Sequence, residues 1–161
     1  PKEPPVPMLA GEPVDAADLT FPDPATGYAN GVNSISATSF ADLPTIGCTA
    51  TIVNPHPTAG MLVDVRFAAW MVATAGDVRA CPRISGSTTI AAGVGTGPLG
   101  WGELLFGANS SDGPVQSSAS YTIELPPGSA TFTMQAFQSG AAGTKQVNYA
   151  SLRIVPIRYA F

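Results

Sequence analysis

The side chains able to do acid–base, nucleophilic or metal chemistry are few and scattered. His56 is the one histidine, and it lies in Asn54-Pro55-His56-Pro57, a turn context. A Ser-His-Asp triad through it would need a serine raised on a sharp elbow, and no Gly-x-Ser-x-Gly accompanies it. Gly93-Val94-Gly95-Thr96-Gly97 is rich in glycine but lacks the Lys-Ser/Thr ending of a phosphate loop and opens no helix, so it reads as a loop. Asn109-Ser110-Ser111-Asp112 offers oxygens to a calcium ion without the spacing of a known calcium loop. Asp64 and Arg66 stand two apart on one strand. With Asp77, Arg79 and Arg83 on the following strand they read as a cross-strand salt-bridge set. The acids are too few for a glycosidase carboxylate pair to stand out. Cys48 and Cys81 are too few for a disulfide framework and, beside a single histidine, make a poor zinc site. They read as small buried residues, and one disulfide stays open if their strands are neighbours. The expectation is a chain that is not an enzyme, with no catalytic residue, metal or cofactor.

Binding is the chemistry left to look for. Trp101, between Gly100 and Gly102, is the candidate for surface recognition, since an exposed tryptophan can mark a sugar- or protein-binding surface. Trp70 lies in the most apolar segment and is expected to pack in the core. A free carbohydrate-binding module is therefore one functional class to carry forward.

The composition limits the rest. Charged residues make up 11% of 161 residues and hydrophobic ones 45%, where soluble domains carry roughly a quarter charged. So few charges predict a weakly polar surface, of the kind that associates with copies of itself. The formal net charge of −4 offers no basic footprint for nucleic acid and no polybasic patch for a membrane surface. No apolar run reaches the ~18 residues of a membrane-spanning helix. The stretch from Pro1 to Pro7 lacks the apolar core of a signal peptide, so folding in a cytoplasm is expected.

The elements that would position these residues fall into two parts. Residues 1–33 read as an extended N-terminal arm. Prolines at positions 1, 4, 5, 7 and 13 keep it out of a central sheet. Met8, Leu9, Val14, Leu19 and Phe21 are its apolar anchors, the candidates for docking onto a partner. Tyr28-Ala29-Asn30-Gly31 reads as a turn.

Residues 34–161 read as an antiparallel β-sandwich. Ser34 to Thr38 alternates as a first short strand. Residues 47–53 alternate with Cys48, Ala50 and Ile52 on one face. Residues 61–74 are apolar on one parity throughout and on the other at both ends, as in a long strand buried on both faces over part of its length. The turn Ala75-Gly76-Asp77 predicts a hairpin with residues 78–84. Short strands follow near 88–91 and 101–106, then alternating segments at 117–125, 130–138 and 148–161. Pro156 inside the last predicts a bulge or an edge position. Eight or more short strands at regular spacing argue for a sandwich of jelly-roll or immunoglobulin type.

Three stretches carry a resemblance. Ser120 to Gly140, built around Glu124-Leu125-Pro126-Pro127-Gly128-Ser129, resembles the penultimate hairpin of jelly-roll domains of the C1q/tumour-necrosis-factor type. Tyr149 to Phe161 is similar to the last strand of such domains in tail and fibre proteins of phages, especially those of actinobacterial hosts. Leu9-Ala10-Gly11-Glu12-Pro13-Val14-Asp15-Ala16-Ala17-Asp18-Leu19 looks like the openings of phage tail-fibre or minor tail proteins. The resemblance implies a homotrimer of jelly-roll domains in a tailed-bacteriophage virion. Its partners would be itself, other tail or capsid proteins, and a host cell-surface glycan. The arm leads almost directly to the domain, without the long shaft of a tail fibre. A capsid decoration role therefore stands beside the minor tail role.

Overall fold

The computed structural model describes residues 20–92, 104–108, 115–140 and 142–160, with the backbone alone for 104–108 and 115. Nine strands run β1 (Ala25–Ser34), β2 (Ala41–Asp42), β3 (Thr49–Asn54), β4 (Gly60–Ala73), β5 (Gly76–Gly86), β6 (Leu104–Ala108), β7 (Val115–Leu125), β8 (Gly128–Ser139) and β9 (Lys145–Ala160). They form two antiparallel sheets. One has the order β1-β9-β4-β7. In the other, β8 and β5 are central, β6 lies beyond β5, and β2 and β3 both pair with the free side of β8. The fold is an antiparallel sandwich, as the spacing of short strands predicts, and of the two types left open by that spacing it is the jelly roll.

Alternation decides which side chains fill it. Met61, Val63, Val65, Phe67, Ala69 and Met71 of β4 point inward and are fully or almost fully buried. Ala130, Phe132, Met134 and Ala136 of β8 face them from the other sheet, and Ile123, Leu125, Leu152 and Ile154 complete the core. Two inner faces interdigitating in this way are what hold a sandwich together.

The connections differ from the expected hairpins. Most of the turns carry the chain from one sheet to the other. β4 pairs with β7 and β9 while β5 pairs with β6 and β8, so the turn at Ala75-Gly76 is a corner between layers. The same holds for Pro126-Pro127: β7 lies in the first sheet and β8 in the second, so Ser120 to Gly140 is not a hairpin. A tight turn looks alike in sequence whether its second strand pairs with the first or folds across to the facing sheet. Residues 35–40 make another crossing. Ile35 N donates to Lys145 O and Gln138 N donates to Ala37 O, so the expected strand at Ser34 to Thr38 hands over from one sheet to the other. Near Ile90 there is a single bridge to Ile84 and no strand.

Part of the presumed arm belongs to the sandwich. Tyr28 to Gly31, read as a turn, lies within β1, which pairs with β9 from Ala25 opposite Ile154 to Ser34 opposite Gln146. The Asn-Gly signal marks an irregularity in the strand: the register slips between Asn30 and Asn33, and Gly31 has φ +146°. The buried Asn33 then accepts from Thr45 N and Ile46 N, both at 2.9 Å, tying the β2–β3 loop to β1. Gly27 is required by close approach, because a Cβ there would lie 2.2 Å from Thr49 O.

Pro156 sits at a bulge. Val63 faces Pro156 but Leu62 faces Arg158, which leaves Ile157 as the extra residue. β1 begins opposite Ile154, so at Pro156 β9 has β4 as its neighbour and nothing from β1 on the other side. Beyond the bulge the parity changes, and Tyr159 rather than Arg158 turns into the core.

Candidate functional site

Among the described residues, those singled out for chemistry do not converge. His56 holds the β3–β4 turn: its Nδ1 accepts from Ala59 N at 2.7 Å and Thr58 N at 3.2 Å. Asn54, buried, donates to Ala59 O at 2.9 Å and Leu125 O at 3.0 Å and accepts from His56 N at 3.0 Å. Asp64 and Arg66 pair with each other at 2.6 Å, Arg79 with Asp77 at 3.6 Å, and Arg83 with Asp42 at 3.4 Å. The expected set between β4 and β5 is absent because those strands lie in different sheets. Among the described residues no group of three His, Cys, Asp or Glu could hold a metal ion.

Both cysteines are buried thiols. Met134 N bonds Cys48 O and Cys81 faces Gln135, so β8 runs between them and no disulfide can form. Burial pushes the Cys48 thiol up from 9.0 to about 11, against smaller opposing hydrogen bonds to the backbone of Ala29 and Leu152. Burial likewise raises the Tyr121 phenol above its ordinary value, with the charge of Cys81 adding to the effect.

Of the five docking anchors, Phe21 is described. Its ring stacks on Tyr159 at 4.9 Å. Tyr159 donates to Thr20 O at 2.8 Å and meets the His56 ring at 5.1 Å. The root of the arm is thus seated on the end of β9 and the β3–β4 turn of its own chain. Met8, Leu9, Val14, Leu19, Trp101, the segment Gly93 to Gly97 and the segment Asn109 to Asp112 lie outside the described residues.

Two outer surfaces stand out instead. The first is the solvent face of β1-β9-β4-β7. Trp70, expected in the core, is 44% exposed there because the even positions of β4 face outward. In register across the sheet stand Asn30, Tyr149 and Trp70, then Tyr28, Ser151 and Ala68, then Arg153 and Arg66. Tyr28 is 68% exposed. Beside the two arginines lies a shallow hollow of about 420 Å³ whose small walls are Ala68, Ser118, Ser120 and Ser151. The face therefore carries large rings beside small residues, a relief suited to packing against another protein surface.

The second is a groove of about 620 Å³ on the outer face of the other sheet. Phe40 meets Phe137 edge to face at 4.6 Å, and the Arg79 guanidinium lies 5.6 Å from the other ring's centre. Beside them Asp42 accepts from Gln135 Nε2 at 2.8 Å and from Arg83 Nη2 at 3.4 Å. Sequence reading passed over Phe40, Asp42, Gln135 and Phe137. The available signal was Phe137, a large aromatic on the otherwise polar parity of β8.

Neither a protein-family model nor a curated protein matches the sequence. Among solved structures, the chain is similar to Eiger TNF from S. frugiperda, with a TM-score of 0.52 and 9% identity over 86% of this chain and 94% of that one. At that identity the likeness is one of fold, and the sandwich is a TNF-like jelly roll. A fainter likeness, to Arthrobacter globiformis T6 isomalto-dextranase complexed with panose, has a TM-score of 0.29 and 13% identity over 78% of this chain and 21% of that one, too low to carry an argument.

Proposed function

We propose that this chain is a non-enzymatic structural component of a tailed-bacteriophage particle, a homotrimeric minor tail or tail-tip protein. It is made in the host cytoplasm and joined to the virion through its N-terminal arm. The observation that carries the self-association is the outward face of β1-β9-β4-β7. Trp70 and Tyr28 stand exposed there, on a chain with only 11% charged residues. Copies that lay these faces together remove large rings from water, worth about 25 cal/mol for each Å² of apolar surface buried. A TNF-like sandwich is compatible with a trimeric binding or structural domain. The phage assignment rests on the resemblance of the arm and of the last third of the chain to tail proteins.

Sedimentation equilibrium of the full chain tests the assembly. The expected mass is three times 16.4 kDa, and a single-chain mass at micromolar concentration removes the trimer. Deleting residues 2–20 should leave the trimer intact and abolish incorporation into particles. Normal incorporation of that truncation defeats the arm. Electron microscopy of labelled particles then separates tail from head, and label on the head replaces the minor tail role with capsid decoration.

A further inference from the structure

We infer that the groove on the outer face of the β2-β8-β5 sheet is a binding site for a neutral saccharide. This goes beyond the assembly reading and uses the opposite face of the sandwich, so trimer formation leaves it open.

The groove combines an apolar wall with a fixed polar end. Phe40, Phe137 and Ile90 form the wall, and Gln135 and Arg83 the polar end. Asp42 holds both of the latter from behind, at 2.8 Å and 3.4 Å. With its Nε2 committed to Asp42, the Gln135 amide offers Oε1 as an acceptor, and Arg83 retains further N–H donors. The rim residues Thr38, Ser39, Ser85 and Thr89 carry hydroxyls that both donate and accept.

Charge narrows the ligand. Asp42 and Arg83 neutralise each other, so the site attracts neither an anion nor a cation strongly. A purely apolar guest would take the Asp42–Gln135–Arg83 set out of water without replacing its hydrogen bonds, which costs free energy. What fits is an uncharged molecule with C–H faces for the rings and hydroxyls able both to donate and to accept, and a pyranose has both. The volume lies in the ~300–1,000 Å³ range of small-molecule sites. The Asp42 contacts hold the polar groups in place beforehand, which lowers the ordering cost of binding.

The test is a glycan array carrying neutral oligosaccharides of glucose, galactose, mannose and N-acetylglucosamine beside sialylated and sulfated ones. It is followed by calorimetric titration of the best-retained neutral glycan. Retention of neutral glycans, weakened about tenfold or more by Gln135→Ala and insensitive to salt, is the expected result. Phe40→Ala should weaken it as well. Because that ring also touches the core, Asp42→Asn, on an exposed residue, serves as the variant that cannot fail merely by unfolding. The inference is overturned if no neutral glycan is retained, if Gln135→Ala and Asp42→Asn bind as the parent does, or if only charged glycans are held. Sedimentation of the same samples separates the two readings. A trimer blind to sugars removes this site alone, and a monomer that binds them removes the assembly alone.

Discussion

The two outer faces of the sandwich are built from the same alternation and come out opposite in character. On β1-β9-β4-β7 the outward positions hold Tyr28, Tyr149 and Trp70 around small serines and alanines, and two arginines, Arg66 and Arg153, face each other across the strands. Arg66 is also paired with Asp64 on the same face, so what sets this face apart is its exposed rings rather than its charges. On the other sheet the outward ring Phe137 is covered on two sides, by Phe40 and by Arg79, and the nearby charges are paired. One face is left incomplete, as a surface awaiting a copy of itself would be. The other is finished within the chain and leaves a groove.

The largest effect should come from the layer that both faces share. Phe132 is fully buried on β8, between the sheets. Phe132→Ala should cost about 3–5 kcal/mol, read as a fall in the denaturant midpoint. Association and any groove binding should then fail together. If one survives at full strength while stability drops, the two faces do not depend on a common core as described.

Next in size is a change on the incomplete face alone. Trp70→Glu places a charge where the rings meet in the assembly and should convert the trimer to single chains, while the monomer keeps its β-sheet circular dichroism. The equivalent charge on the finished face, Phe137→Glu, should leave the mass unchanged. A trimer unaffected by Trp70→Glu would place the contact elsewhere.

The contrast explains what the sequence disclosed and what it hid. Alternation made β3, β7 and β8 legible, with the correct inward residues, and placed β4 but read it as buried on both faces over part of its length, because burial on one side of a strand repeats every second position. It could not say that Ala75-Gly76 and Pro126-Pro127 cross between sheets, since the choice depends on which distant strand is waiting. Trp70 read as core because β4 is apolar on both parities near its end. That second apolar parity is the same feature that leaves Trp70 on its outer face. The flip at Ile157 follows from a bulge whose presence Pro156 announces but whose effect on Tyr159 it does not. The groove was the least legible part. Asp42 and Gln135 are 93 positions apart and Asp42 and Arg83 41 apart, so nothing local links them.

Alkaline titration probes the layer between the faces more gently. Cys48 has its pKa raised from 9.0 to about 11 by burial, so the folded state favours the protonated thiol. The stability this confers is complete below pH 9, falls as pH rises through 9 to 11, and amounts to about 2–3 kcal/mol. Tyr121, shifted in the same direction from 10.0, adds to the loss once pH passes 10. Cys48→Ala should lessen the slope of the pH 9–11 segment of a chemical-denaturation series, most clearly between pH 9 and 10. If assembly and folding are coupled, the midpoint in that segment should also rise with protein concentration. A slope identical in Cys48→Ala and parent would mean the thiol is not the group being titrated.

The smallest effect falls on the finished face. The Asp42 contacts to Gln135 and Arg83 are exposed, and exposed ion pairs contribute about 0–1 kcal/mol. Asp42→Asn keeps an acceptor for Gln135 and removes only the charge, so thermal and denaturant midpoints should shift by less than about 1 kcal/mol. That small number is informative. A set of contacts whose weakening barely changes folding contributes little to holding β2 against β8, which leaves the proposed groove as the place to look for its effect. A loss of several kcal/mol instead would assign Asp42, Gln135 and Arg83 to fastening the short strand β2, and the two faces would then differ in stability rather than in task.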